Sequence, residues 1–185
     1  MVVANPRREA ITARYDLAMV AVSPEMHLAQ LNVGRLRAPV DSPIVAEFME
    51  ALDPINALAD TSPGFVWRFQ TEDGNATAER PYEDDTILVN FPTWESIDAV
   101  ADYVYRTAHV EYLRRRREWF ERLEDLYVVL WWVPAGHRPS VAEAVERLEH
   151  LRAHGPSPYA FTFRRPFDPV TSEPSPRDDR NTCPA

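Results

Sequence analysis

The chain has 185 residues, 45 % of them apolar and 11 % aromatic, and a formal charge of −9, which suits one packed domain with tails. No apolar run approaches the roughly 20 residues of a membrane-spanning helix, and the acidic balance repels phosphate backbones, so neither membrane nor nucleic acid is expected as a partner. Every one of the 20 basic residues is Arg; without Lys, Schiff-base chemistry and a Walker-type phosphate loop are excluded.

Residues 1–25 are charged throughout, lack an apolar h-region and read as an extension, not as a secretory leader. A first strand is expected over His27-Leu-Ala-Gln-Leu-Asn-Val-Gly34, followed by a helix to about Ala59. Asp41 or Ser42 is placed to cap that helix, Pro43 suits its first turn and Pro54 is a kink. Phe65-Val-Trp-Arg-Phe69 has aromatics at alternate positions, a strand pattern. After a polar stretch from Thr71 to Asp85, read as an exposed hairpin loop, Thr86-Ile-Leu-Val-Asn-Phe91 returns antiparallel to it.

Thr93, with Ser96 as rival, caps a helix that begins at Trp94 and runs to Leu126 with a break near Thr107. Tyr127-Val-Val-Leu-Trp-Trp-Val133 is apolar on both faces and is expected to be the central, best-buried strand. Ser140 and Glu143 form a capping box for a last helix that Gly155 stops, and Tyr159-Ala-Phe-Thr-Phe163 adds a short edge strand. From Asp168 to the end the composition predicts a disordered tail. The lone Cys183 neither staples the fold nor completes a metal cluster, and it fits a reducing, cytoplasmic setting.

Strand, helix, strand, strand, helix, strand, helix is the split βαβ order of an α+β, ferredoxin-like fold with an antiparallel sheet. Helices of such a fold cover one sheet face. The other face is expected to be buried by a second copy, making a homodimer.

Alternation along the first strand puts Ala29, Leu31 and Val33 on the face under the helices, and Gln30 and Asn32 on the open face. Asn90 and Arg68 are placed to point the same way. These groups either bond one another and water across a dimer or line a pocket. On the second helix His109, Tyr112, Leu113, Arg116, Phe120 and Leu123 share a stripe, while Arg114, Arg115 and Arg117 spread over a solvated flank among Glu111, Glu118 and Glu121. His109 reads as a satisfied core histidine or as a general base, and Arg116 as a carboxylate or enolate clamp or a plain ion pair.

Trp67, Trp131 and Trp132 are core residues by type, yet one of the adjacent pair must face the open side, where aromatic walls suit a flat, apolar ligand. His150 and His154, the sole histidine pair at a ligand-like spacing, stand at a helix end. No metal site is expected.

Five blocks in order, His27-Leu-Ala-Gln-Leu-Asn32, Gly64-Phe-Val-Trp-Arg68, His109 with Arg116-Arg-Glu-Trp-Phe120, Leu130-Trp-Trp-Val-Pro134 and Pro158-Tyr-Ala-Phe-Thr-Phe163, resemble the DUF3291 family over about Met26 to Phe167. That family is similar to the dimeric α/β-barrel superfamily, which includes antibiotic-biosynthesis and haem-degrading monooxygenases. The resemblance implies that architecture for residues 26–167. It also implies a cofactor-independent, monooxygenase-like oxidation of an aromatic or polyketide-like substrate, with His109 as proton acceptor and Asn32, Gln30 and Arg68 orienting the substrate. Trp67, Asn90, Tyr112, Arg116, Trp131 and Trp132 would line the site. Two alternatives are a dimeric ligand-binding module without chemistry and a haem-binding protein using Asn32 and His109. For haem the superfamily's tryptophan is missing: Ala99 stands ten residues before His109, so Tyr103 or Trp94 would have to substitute.

Overall fold

A computed structural model describes residues 25–175; the N-terminal extension before Glu25 and the end of the tail after Ser175 lie outside the described residues. The elements are β1 (Met26–Arg35), α1 (Ala46–Asp60), β2 (Phe65–Arg68), β3 (Ile87–Asn90), β4 (Pro92–Trp94), α2 (Ile97–Arg106), α3 (His109–Arg115), a 3₁₀ turn (Arg116–Glu118), β5 (Val128–Pro134) and α4 (Val141–His154). β3 and β4 are two halves of one strand interrupted at Phe91. Asn32 faces Asn90 and Leu28 faces Trp94 in a single antiparallel register along β1. β5 pairs with the other edge of β1, and β2 with β4. The sheet is therefore β2, β3/β4, β1, β5, all antiparallel, which is the ferredoxin-like order of an α+β fold.

The central strand is β1, not the 127–133 segment. β5 lies beside it, and its outer edge is bridged only by Phe161, which exchanges both backbone hydrogen bonds with Leu130. The apolar run in β5 is explained by packing on two faces rather than by pairing on two edges: Val129, Trp131 and Val133 bury into one cluster, Leu130 and Trp132 into another.

Helix boundaries follow local chemistry. The Ser96 hydroxyl accepts from the Ala99 N–H and starts α2, whereas Thr93 is buried within β4, so the expected Thr93 cap is a strand residue. Thr107 adopts an extended backbone and separates α2 from α3, as the break in pattern predicts. Its hydroxyl donates to the Tyr103 carbonyl at 2.6 Å and accepts from the His109 N–H at 3.2 Å, fixing the angle of the joint. The helix does not reach Leu126; it ends in the 3₁₀ turn at Glu118, and Phe120 instead pairs with Leu36. Ser140 caps α4 through the Glu143 N–H at 3.1 Å, as its capping box requires. α1 begins only after Val45 and has no side-chain cap. The Ser42 hydroxyl serves the turn before it.

The face bearing Ala29, Leu31 and Val33 lies under a helix, as expected: α4 covers it through Ala144, Leu148 and Leu151, all fully buried. The expectation of an open sheet face fails, because helices lie on both sides. The 71–85 segment is also more than an exposed loop, because Ala76 and Tyr82 pack against the same cluster. α1 and α2 cover the opposite face, against Leu28, Trp94, Leu130 and Trp132. The tail turns back at first: Asp168 accepts from the Val170 and Thr171 N–H groups, and Phe167 bridges to Pro174, so residues 168–175 are folded rather than disordered.

Candidate functional site

Along the helix-covered face of β1 the side chains run Leu28, Gln30, Asn32, Gly34, with Leu36 next beyond the strand. Leu28 sits in the cluster under α1 and α2, and Leu36 in a second cluster with Leu88, Val45 and Trp119 near α3. Gln30 and Asn32 occupy the interval between, on the face that carries the helices and not on an open one. The expected assignment holds for the apolar side, under α4, and fails for Gln30 and Asn32. Polar residues were placed outward on the premise that helices cover the purely apolar side, but here both sides are covered.

The strip has defined ends. At one end Trp94, fully buried, packs on Phe65 with ring centroids 5.3 Å apart and on Tyr103 at 5.1 Å. At the other, Phe120 lies over Gly34 so closely that a Cβ there would stand 2.8 Å from the ring, and it meets Phe48 edge-on at 4.8 Å. Gly34 is thus required by a close approach. His109 opens α3 beside the strip, its ring 4.9 Å from that of Tyr103. Solvent comes near at Asn90, the cross-strand partner of Asn32: it is exposed although Leu88, Val89 and Phe91 around it are buried.

What distinguishes the strip is unmet hydrogen bonding. Gln30 Oε1, Asn32 Oδ1, Trp94 Nε1 and His109 Nδ1 are sealed from solvent and have no partner among the described residues. Each such group costs on the order of 1–3 kcal/mol, so four along one sheet–helix interface form a concentrated penalty. Burial holds the His109 imidazole below its ordinary pKa, a hydrogen bond with the Val104 backbone opposing this in part, which favours the neutral ring. Burial pushes the Tyr103 phenol far above its usual value, and its hydroxyl donates to the Ile55 carbonyl at 3.3 Å. Tyr103 is a wall here, not an acid.

Of the residues expected at the site, Gln30, Asn32, Asn90, Trp132 and His109 share this face. Trp132 stands at its β5 edge, with its indole N–H tied to the Phe167 carbonyl at 2.7 Å. Trp67 and Trp131 lie on the opposite face. A register shift in β2 turns Phe65 toward Trp94 but Trp67 toward Phe91, so aromatics two residues apart point to opposite sides. Trp131 packs under α4 and donates to Glu143 at 3.1 Å. Arg68 is committed elsewhere: its guanidinium holds both oxygens of Asp60, at 2.8 and 3.2 Å, and the Gly74 carbonyl at 2.8 Å. Arg116 donates to the Leu113 carbonyl at the end of α3, and Tyr112 packs on Trp119 in the neighbouring cluster. The arginine run is ion-paired on the outside, Arg114 to Glu111, and Arg115 to Glu118 and to Glu47 of α1.

Trp94 and Tyr103 were not assigned to the site beforehand except as stand-ins for a haem tryptophan. Their signal is faint: Tyr103 lies six residues before His109, and the Thr107 break brings the two rings together. An open depression of about 400 Å³ on the outer side of α2, lined by Gly64, Glu95, Asp98, Asp102 and Arg106, meets the strip only through Tyr103 and Thr107. Among the described residues no three His, Cys, Asp or Glu side chains gather as metal ligands, and no helix is long and apolar enough to cross a membrane. Haem fits poorly, since one side of the His109 ring bonds the Val104 backbone, Nδ1 is sealed, and the ring packs on Tyr103.

The model of a domain of unknown function, DUF3291, matches residues 27–177. The chain belongs to the DUF3291 family. No curated protein matches this DUF3291 chain. Among solved structures, SnoaB from Streptomyces nogalater, a cofactor-independent oxygenase, is 16 % identical; the match covers 62 % of this chain and 96 % of that one with a TM-score of 0.40. A Nitrosomonas europaea protein named after the antibiotic biosynthesis monooxygenases is 14 % identical, covering 64 % and 97 %, TM-score 0.40. Rv0793 from Mycobacterium tuberculosis is 15 % identical, covering 62 % and 99 %, TM-score 0.39. Likeness at this level says nothing about chemistry.

Proposed function

We propose that this DUF3291 protein binds an aromatic small molecule in the strip between β1 and the α2–α3 joint and oxidises it with dioxygen without a bound cofactor. The observation that carries the reading is the row of buried, unpartnered polar atoms on Gln30, Asn32, Trp94 and His109, enclosed by aromatic rings. A penalty of this kind is relieved by a ligand, and a neutral, desolvated imidazole is a competent proton acceptor near neutral pH. For a methylene activated by flanking phenolic rings, His109 takes one proton and the carbanion gives an electron to dioxygen. Recombination gives a hydroperoxide, and loss of water from it leaves a carbonyl. The balance is substrate plus dioxygen to ketone plus water, with the Trp94 N–H steadying negative charge on oxygen.

Because the four atoms are sealed, a ligand enters only when the interface between β1 and the α2–α3 joint opens. Oxygen consumption with anthrone-type substrates tests the reading. Turnover that falls at least about a hundredfold in His109→Ala is expected, from the usual weight of general-base catalysis. Absence of turnover in the parent protein, or turnover untouched by the substitution, removes it.

A further inference from the structure

The hydrogen-bonding polarity of the strip carries more than the existence of a site. Gln30 is 8 % exposed and Trp94 1 %, and each carries a buried polar atom without a partner on this face of the sheet. Two of the four atoms, Gln30 Oε1 and Asn32 Oδ1, are acceptors. Trp94 Nε1 is a donor only. His109 Nδ1 donates or accepts according to the tautomer of the ring, so by itself it fixes no polarity. The cations predicted to offset an acid have other partners: Arg68 grips Asp60, and Arg116 turns back on the Leu113 carbonyl at the end of α3.

We infer that the strip selects an uncharged, flat, polyhydroxylated arene, one that donates to Gln30 and Asn32 and accepts from Trp94, and that it rejects carboxylated or phosphorylated analogues. This rests on reading the strip as a ligand site, and it adds the polarity of the ligand, which that reading leaves open. The physical reason is sign. A carboxylate brings only acceptors and would set its charge against the two amide oxygens in a desolvated interface, whereas phenolic hydroxyls meet them as donors. The walls set the shape. Trp94 and Tyr103 close one end and Phe120, seated on Gly34, the other, so extended ring faces are matched and branched aliphatic bulk is not.

Binding is measured apart from chemistry, under nitrogen, by titrating the full chain with dihydroxynaphthalene, dimethoxynaphthalene and naphthoate while following the indole N–H signals by nuclear magnetic resonance. The expected order is dihydroxynaphthalene tightest by roughly tenfold or more, because the ether keeps the rings but loses the donors. Dimethoxynaphthalene should bind weakly and naphthoate least. Gln30→Leu, which keeps side-chain bulk, should shrink the hydroxyl-over-ether preference several-fold while leaving ether binding in place, a selective change that mere structural damage would not produce. Naphthoate binding as well as or better than the diol overturns the inference and leaves a ligand site standing. Equal binding of diol and ether, or a preference unchanged in Gln30→Leu, also overturns it. No probe binding at all sinks the site and the inference together. Selective diol binding without oxygen uptake on admitting air keeps the inference and removes the oxidation.

Discussion

The two faces of one sheet are built to different standards. Under α4, Ala29, Leu31, Val129, Trp131, Ala144, Leu148 and Leu151 are all fully buried, and the one indole N–H among them has a carboxylate partner. Under α1 to α3, an equally covered face holds a strip of amide, indole and imidazole groups that nothing among the described residues satisfies. The contrast is not one of number, since His27 Nδ1, Tyr82 Oη, Thr93 Oγ1 and Arg147 Nε on the α4 side also lack partners. Those are dispersed over β1, the 71–85 loop, β4 and α4, whereas Gln30 and Asn32 are successive residues of one strand face. One face stabilises the fold; the other surrenders stability along a line, which is the usual mark of a site.

Substitutions should expose that difference. Trp131→Ala empties the α4 face and leaves Glu143 without its indole donor, so it should destabilise by about 3–5 kcal/mol in urea unfolding, an effect far larger than any single change on the polar strip. Gly34→Ala comes next. Phe120 must give way to the new methyl, at about 1–3 kcal/mol, and ligand binding should change with it because the end wall moves; a neutral result would show that the ring sits loosely.

Ser140→Ala, away from both faces, removes the α4 cap and should cost about 1 kcal/mol. Gln30→Leu should be close to neutral or stabilising by up to about 1 kcal/mol, since it deletes an unmet acceptor without opening a cavity. Clear destabilisation there would mean that the amide has a structural partner and that the comparison is misdrawn. The pH effect is the smallest. The folded state holds His109 below its unfolded value of about 6.5, so as pH falls through that value the unfolded chain takes the proton first. Stability from this group is present above about 6.5 and is lost below it, down to the folded pKa. His109→Gln should flatten that segment of the stability profile.

Much of the site was legible as residue type and little as location. His109, Asn32 and Gln30 stand out as polar groups in apolar patterns, and the Thr107 break shows in the text. Trp67 was misplaced because a one-residue register shift in β2 reverses a face, and no periodicity in four residues reports a bulge; Arg68 shares the Gln30 face but is taken up by Asp60. Trp94 was read as a helix start because Thr93 and Ser96 are rival caps of similar strength; pairing with Leu28 and Phe65 decides for the strand.

By itself the sequence determined the order of strands and helices, the capped start of α4, the antiparallel α+β class and the family, because periodicity, caps and turn residues are local properties of a chain. Only the tertiary structure decided that β1 is central, that α4 roofs the apolar face, and that the polar strip lies beneath α1 to α3. Those outcomes depend on which surfaces meet across long separations, and two amphipathic layers of similar apolarity can be stacked either way until packing selects one.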